Sequence, residues 1–297
     1  MLTRTRPVLL TSQSPADAVS AALAAAQQSP AALGDLREAL LGMECGQAVA
    51  WITGRLASGR DFLTGRDLEL GQDGSLTEWP ALRVFLLDTL FIIDPAAAAE
   101  FSRQILQTST SPDKWALAPR NVGAESPSAE DVGLMQAMSV EMLYNEAWRK
   151  EASTGYLQAF DNLVHSGIIS LSPRLIRFAG DTSNKPVRHA AFLTLDRLTL
   201  AQPVTMLEKL VPSAAAQPET ALRVSNMVAR ADVRDPAQRW LVEEYLLDDK
   251  HTAAEIQALI CGFPNANQFI PANLLTKVTT VSGTELAARD CRALAVA

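Results

Sequence analysis

The sequence predicts an all-α chain built as an α-solenoid, one elongated domain of stacked antiparallel helical hairpins over residues 1–297. Three observations carry this expectation. The first is composition. Hydrophobic residues make up 48% and charged residues 20%, enough apolar side chain for a sizeable core and too little net polarity for disorder. Aromatics are only 6%, whereas Ala and Leu recur and lead the helix-propensity order, because Ala loses no side-chain entropy and Leu little. Alternating β-branched runs are scarce. The second observation is a repeated helix-start signal. A small polar residue that can cap exposed N–H groups stands before a Pro whose φ suits the first helical position. The third is spacing. Pro15 and Pro30, then Pro80, Pro95 and Pro112, then Pro173, Pro186, Pro203, Pro218 and Pro236 recur 13–18 residues apart. Two such steps make a hairpin of about 30–35 residues, a helical-repeat period.

Taken in order, Ser14-Pro15 and Ser29-Pro30 open the first helices. Leu33, Leu36, Leu40 and Leu41, then Ala48, Trp51, Ile52 and Leu56, give apolar faces to the helices that follow. Residues 57–78 break the rhythm with Gly59, Gly65, Gly71 and Gly74, the last in an Asp-Gly turn signal. Leu82 to Ile93 is apolar on nearly every side and belongs in the middle of the stack, covered on both faces. Asp94-Pro95 and Ser111-Pro112 open two more helices. Residues 119–129 read as a second irregular insertion, after which Ser128 caps a long helix reaching about residue 150. Ser172-Pro173 and Asp235-Pro236 mark later starts. Trp79-Pro80, Lys185-Pro186, Gln202-Pro203 and Gln217-Pro218 are looser forms. Thr252 to Glu255 reads as a capping box. Val224, Met227, Val228 and Ala231, like Leu241, Val242, Tyr245 and Leu246, supply further helical faces. The expected total is about fourteen to sixteen helices.

One stretch is more specific. Asp181-Thr182-Ser183-Asn184-Lys185-Pro186-Val187-Arg188-His189-Ala190-Ala191-Phe192-Leu193-Thr194-Leu195 resembles the second helix of a HEAT repeat. The matching features are the upstream Asp, the Val-Arg pair, the double Ala and the Leu that follows. The resemblance covers one repeat. It implies structural roles for Asp181 and Arg188, which in that family tie the turn to the helix and to neighbouring repeats. It also implies close approach of adjacent helices at the double Ala.

The formal net charge is -7 and the pI is about 5.1, which speaks against nucleic acid, whose binders present a basic face to phosphates. No segment is long and apolar enough to cross a bilayer. The N-terminal Pro7 to Leu10 is too short for a signal-peptide core. A cytoplasmic location is therefore expected, although an exported chain whose leader had been removed would read the same. The cysteines Cys45, Cys261 and Cys291 have no metal-site spacing and are expected as reduced, buried thiols; a Cys261–Cys291 bridge would need an oxidising compartment.

No GxSxG, HExxH, Walker A, GxGxxG or CxxC motif occurs, so no catalytic residue, cofactor or metal is assigned. His165, His189 and His251 have no ligand partner at i+3 or i+4. Asp67, Glu69 and Asp73 lack calcium-loop spacing and read as a solvated acidic turn. Asp88, in the most apolar helix, does not share a face with Arg83. A buried carboxylate needs a partner, so a structural ion pair supplied by another helix is expected. Met135, Met138 and Met142 form a stripe that reads as core. Arg174, Arg177, Lys185 and Arg188, followed by Arg223 and Arg230 about one hairpin later, raise the expectation of a basic line on a concave surface, facing an acidic peptide or phosphate. The sequence thus points to a non-catalytic scaffold for a protein or peptide partner. The alternatives are a helical-repeat enzyme such as a nucleic-acid base glycosylase, or an exported helical-repeat protein. An Asp or Glu and a Trp converging beside Arg174 and Arg177 would favour the enzyme.

Overall fold

The computed structural model describes residues 14–108, 110–124, 127–215, 218–263, 273–276 and 282–296; Pro7 to Leu10 lies outside them. Among the described residues the chain is all-α apart from one two-stranded antiparallel hairpin. The helices are α1 (Pro15–Gln28), α2 (Leu33–Leu41), α3 (Cys45–Ala57), α4 (Leu82–Ile93), α5 (Pro95–Thr108), α6 (Pro112–Gly123), α7 (Ala129–Tyr144), α8 (Glu146–Lys150), α9 (Thr154–Ala159), α10 (Asp161–His165), α11 (Ser172–Gly180), α12 (Lys185–Ala201), α13 (Pro203–Ala215), α14 (Pro218–Val228), α15 (Pro236–Leu247), α16 (Ala253–Gly262) and α17 (Gly283–Val296). Three of these seventeen, α8 to α10, have only five or six residues.

Helix starts follow the local chemistry closely. Ser14, Ser111 and Asp235 accept backbone N–H groups of the first turns of α1, α6 and α15. Ser128 and Thr252 build full capping boxes with Asp131 and Glu255. Four Pro signals shift. Ser29-Pro30 opens a single 3-10 turn without a side-chain cap, and α2 begins only at Leu33. Ser172 lies inside α11 as its first residue and does not cap it. At Lys185-Pro186 the cap is Asn184, which accepts from Val187 N–H at 3.2 Å. At Trp79-Pro80 no helix begins, because Thr64 N–H bonds the Pro80 carbonyl and Ala81 bridges to Leu63. That pairing keeps the backbone extended until Leu82. The glycine-rich stretch before it carries the hairpin, Glu69–Leu70 against Leu76–Glu78, turning at Gly74 with φ 82°.

The irregular insertion expected at residues 119–129 is shorter in the fold. Helix α6 runs on to Gly123 although Pro119 inside it removes a backbone donor. Every residue from Trp115 to Gly123 is buried, so packing between α5 and α9 compensates for the lost hydrogen bond. The long helix expected to run to residue 150 stops at Tyr144. Asn145 leaves the helical conformation, with ψ 94°, and its side chain caps α8 through Trp148 N–H.

Every substantial helix–helix contact joins helices no more than three places apart in chain order. Apolar side chains from Val19 to Ala293 nevertheless form one continuous core. Helix α4 lies deep in it, packed on α2, α3, α5 and α6. Met135 and Met142 are buried and Met138 packs against the core.

Close approach is tightest where α9 meets α6. Asp113 Oδ1 accepts from Gly155 N–H at 3.1 Å and from Ser153 Oγ at 2.8 Å. A Cβ on Gly155 would fall 2.5 Å from the Asp113 Cα, which is backbone and cannot swing away. Gly155→Ala is expected to lower stability by about 1–3 kcal/mol through overpacking. Urea unfolding checks this; an unchanged midpoint would contradict the contact.

The three cysteines differ from expectation. All are exposed free thiols, none in a disulfide. Cys45 stands at the first position of α3, and Cys261 and Cys291 lie on the outer faces of α16 and α17. Helical periodicity hides a thiol only when its face is covered.

Candidate functional site

The five arginines expected to line a basic surface are not equivalent. Arg174 Nη2 bonds Glu146 Oε1 at 3.0 Å and the guanidinium lies 4.5 Å from the Tyr144 ring centroid. Arg230 makes a two-pronged bond to Asp196, at 2.9 and 2.8 Å. Burial pushes the Asp196 carboxyl up, and Arg230 pulls it back. Arg177 and Arg223 are exposed, the latter 4.4 Å over the Phe192 ring. Arg188 is half-buried on α12 and makes no ion pair with a described residue. Lys185 is exposed at the start of the same helix. Two of the five arginines are therefore paired with acids.

Beside Arg174 a carboxylate meets the ring of Tyr144 rather than a Trp. The carboxylate is Glu146, which is exposed and held below its ordinary range, first by the Arg149 hydrogen bond. A carboxylate shared by Arg149 and Arg174 is a surface ion pair rather than a poised base.

The residues expected to act structurally are engaged in different ways. Asp181 Oδ1 accepts from Ser183 N–H at 2.9 Å and from its hydroxyl, and Oδ2 faces Arg149 Nη1 at 3.3 Å. The Ser183 bonds hold the Asp181 carboxyl below its usual range. The turn before α12 is thereby tied to α8. Asp88 accepts from Arg120 on α6, Arg37 on α2 and the Trp79 indole, at 2.7, 2.7 and 2.9 Å.

A sizeable opening lies elsewhere, among α13, α14, α15 and α16. It is a groove of about 970 Å³, at the upper end of the range for ligand pockets. One wall is the face of α15 bearing Trp240, Leu241, Glu244, Tyr245 and Asp248, residues at i, i+1, i+4, i+5 and i+8. The same pattern on α13, Leu207, Glu208 and Val211, also lines the groove. Ala221 and Leu222 of α14 complete the apolar lining. Trp240 and Leu222 stay 57% and 47% exposed.

The end of the groove is a polar cluster built by the turn between α15 and α16. Asp248 Oδ1 accepts from Lys250 N–H at 3.0 Å, which fixes the turn. The His251 ring stacks on Tyr245 with centroids 3.6 Å apart and an 18° tilt. Its Nδ1 faces Glu255 Oε1 at 3.6 Å. The Tyr245 hydroxyl shares a 2.8 Å hydrogen bond with Ser225 Oγ, and burial pushes its pKa up. Burial also pushes Glu255 up, but the Thr252 capping bonds outweigh it and leave the carboxyl below its ordinary range. His251 Nε2 is buried with no hydrogen-bond partner among the described residues. Four carboxylates and one lysine line the groove.

None of these groove residues stood out as a site in the sequence, where each helix shows an ordinary amphipathic face. The one available signal was Trp240. It sits about 200° around α15 from the buried Val242, off the core face.

Among the described residues, no group of three or more His, Cys, Asp or Glu is placed to hold a metal ion, and no helix is long and apolar enough to cross a membrane. No protein-family model, curated protein or solved structure matches this chain.

Proposed function

We propose that this chain is a HEAT-like helical-repeat scaffold, without catalytic activity of its own, that binds a protein or peptide partner in the groove between α13 and α16. The observation that carries the reading is the pair of large apolar residues left in water on the lip of an apolar trough. Fully burying a leucine stabilises by about 1.5–3 kcal/mol. Leu222, 47% exposed, leaves a good part of that unrealised until something covers it. Trp240 is the residue type most often found at the energetic centre of interfaces. Contacts confined to helices near in sequence support a repeat stack, in which each unit meets its neighbours and an extended surface stays open. The Asp181 to Leu195 stretch supports the HEAT-like form of that stack. Three free thiols suit a reducing compartment, so the proposed location is cytoplasmic.

Selection of an unbiased displayed peptide library tests the reading. It is run on the full chain and on a Leu222→Glu, Trp240→Glu double variant. Peptides are expected to be enriched on the native chain and lost on the variant. Recovery of none, or equal recovery on both, would overturn the proposal.

A further inference from the structure

We infer that the groove is shaped for one face of a basic amphipathic helix, an inference that rests on the scaffold reading above. The first argument is the exposed acid that lines the trough. Glu208 on α13 and Glu244 on α15 are exposed in its lining, and neither is ion-paired with a described residue. A helix seated in the trough meets both carboxylates beside its apolar stripe. Lys or Arg at those flanking positions satisfies both carboxylates. Glu or Asp there would set like charges face to face.

The second argument is spacing. Leu207 and Val211 on α13, and Leu241 and Tyr245 on α15, each repeat at i and i+4. Leu207 and Tyr245 are buried, so the part-exposed Val211 and Leu241, with Trp240 and Leu222, are the apolar contacts the trough offers. An amphipathic helix presents its own i, i+4 side chains at that interval and inserts them as anchors.

The third argument is the buried end. The His251 side chain is nine-tenths buried, with 9% of it exposed, held by the Tyr245 ring, and its Nε2 has no partner among the described residues. Buried polar atoms in native proteins are nearly always hydrogen-bonded. A Ser, Thr, Asn or Gln side chain from the inserted helix supplies the missing partner. An apolar small molecule would leave both this nitrogen and the flanking carboxylates unused.

The test is a displayed library of helices that share Leu at i, i+3, i+4 and i+7, with outward positions drawn equally from Lys and Glu. The target is the full-length chain. The expected result is a pool enriched about tenfold or more in Lys-flanked members, with affinity falling steeply as salt rises. On a Glu208→Lys, Glu244→Lys double variant, whose changes are both on the exposed rim, the preference reverses. A selected binder weakens about fivefold on His251→Phe, the loss of one buried hydrogen bond. A charge-neutral or acidic pool that still depends on Trp240 would overturn the basic-helix inference and leave the scaffold reading standing. Failure of every peptide in both selections would overturn the two together.

Discussion

Asp88→Asn is expected to lower the unfolding free energy by about 3–5 kcal/mol, the usual result of removing one partner from a buried ion pair. The side chains of Asp88 and Arg120 are 4% and 8% exposed. Burial pulls the Arg120 pKa down and the Asp88 charge pushes it back. Asn keeps the shape but loses the charge, and it turns an NH2 group toward a guanidinium. Arg120, which also lies 4.6 Å from the Phe91 ring centroid, is then left as an uncompensated buried cation. The same carboxylate also binds Arg37 and the Trp79 indole, so four segments loosen together: α2, the stretch before α4, α4 itself and α6. Urea unfolding measures the effect as a lower midpoint at similar slope. Arg120→Met separates the two contributions. Replacing a buried ion by an apolar chain of similar length removes its desolvation cost, but it leaves Asp88 with Arg37, which is 22% exposed. Its expected loss is smaller. Equal midpoints for native and Asp88→Asn chains would show that the pairing contributes nothing.

Asp161→Asn is expected to release residues 273–276, which lie between α16 and α17. Asp161, with 1% of its side chain exposed, accepts from Leu275 N–H at 2.7 Å, Thr276 N–H at 2.9 Å and Arg197 Nη1 at 3.0 Å, and from the Thr276 hydroxyl. One carboxylate therefore gathers partners more than a hundred residues further along the chain. Hydrogen bonds to a charged group are worth roughly 1.5–3 kcal/mol each, and the substitution also removes the charge to which buried Arg197 is hydrogen-bonded. The expected cost is again about 3–5 kcal/mol. Its signature is local: the Leu275 and Thr276 amides lose protection in hydrogen exchange, and protease cleaves near residue 275 before the helices α4 to α6 open. Unchanged protection of these two amides would refute the anchoring role.

The two ion-pair centres differ in how far the sequence revealed them. Asp88 was visible as an anomaly, an acid in a helix apolar on all sides. Its need for a partner followed from desolvation alone, although Arg37 and Arg120, 51 and 32 residues away, could not be named. Asp161 sits in a short polar stretch and gave no such sign. The arginines show the reverse difficulty. Arg174 and Arg230 read as available charge because Glu146 and Asp196 lie 28 and 34 residues away in sequence and meet them only across helices. Electrostatic neutrality is a property of the packed neighbourhood, and charge counted along the chain does not report it.

Secondary structure was set within the sequence itself. A polar cap, a Pro with preset φ and an apolar stripe act within about one or two helical turns, so the capped starts of α1, α6, α7, α15 and α16 follow from neighbours a few residues apart. Even there, burial overrode one local rule, carrying α6 through Pro119. What only the tertiary structure decided is which faces meet. Packing of α14 on α16 and of α13 beside α15 leaves a trough that no single helix contains. Whether Trp240 and Leu222 end in core or in water depends on that arrangement. The hydrophobic effect that drives it is non-directional, and it selects among apolar faces only when the whole chain competes for them.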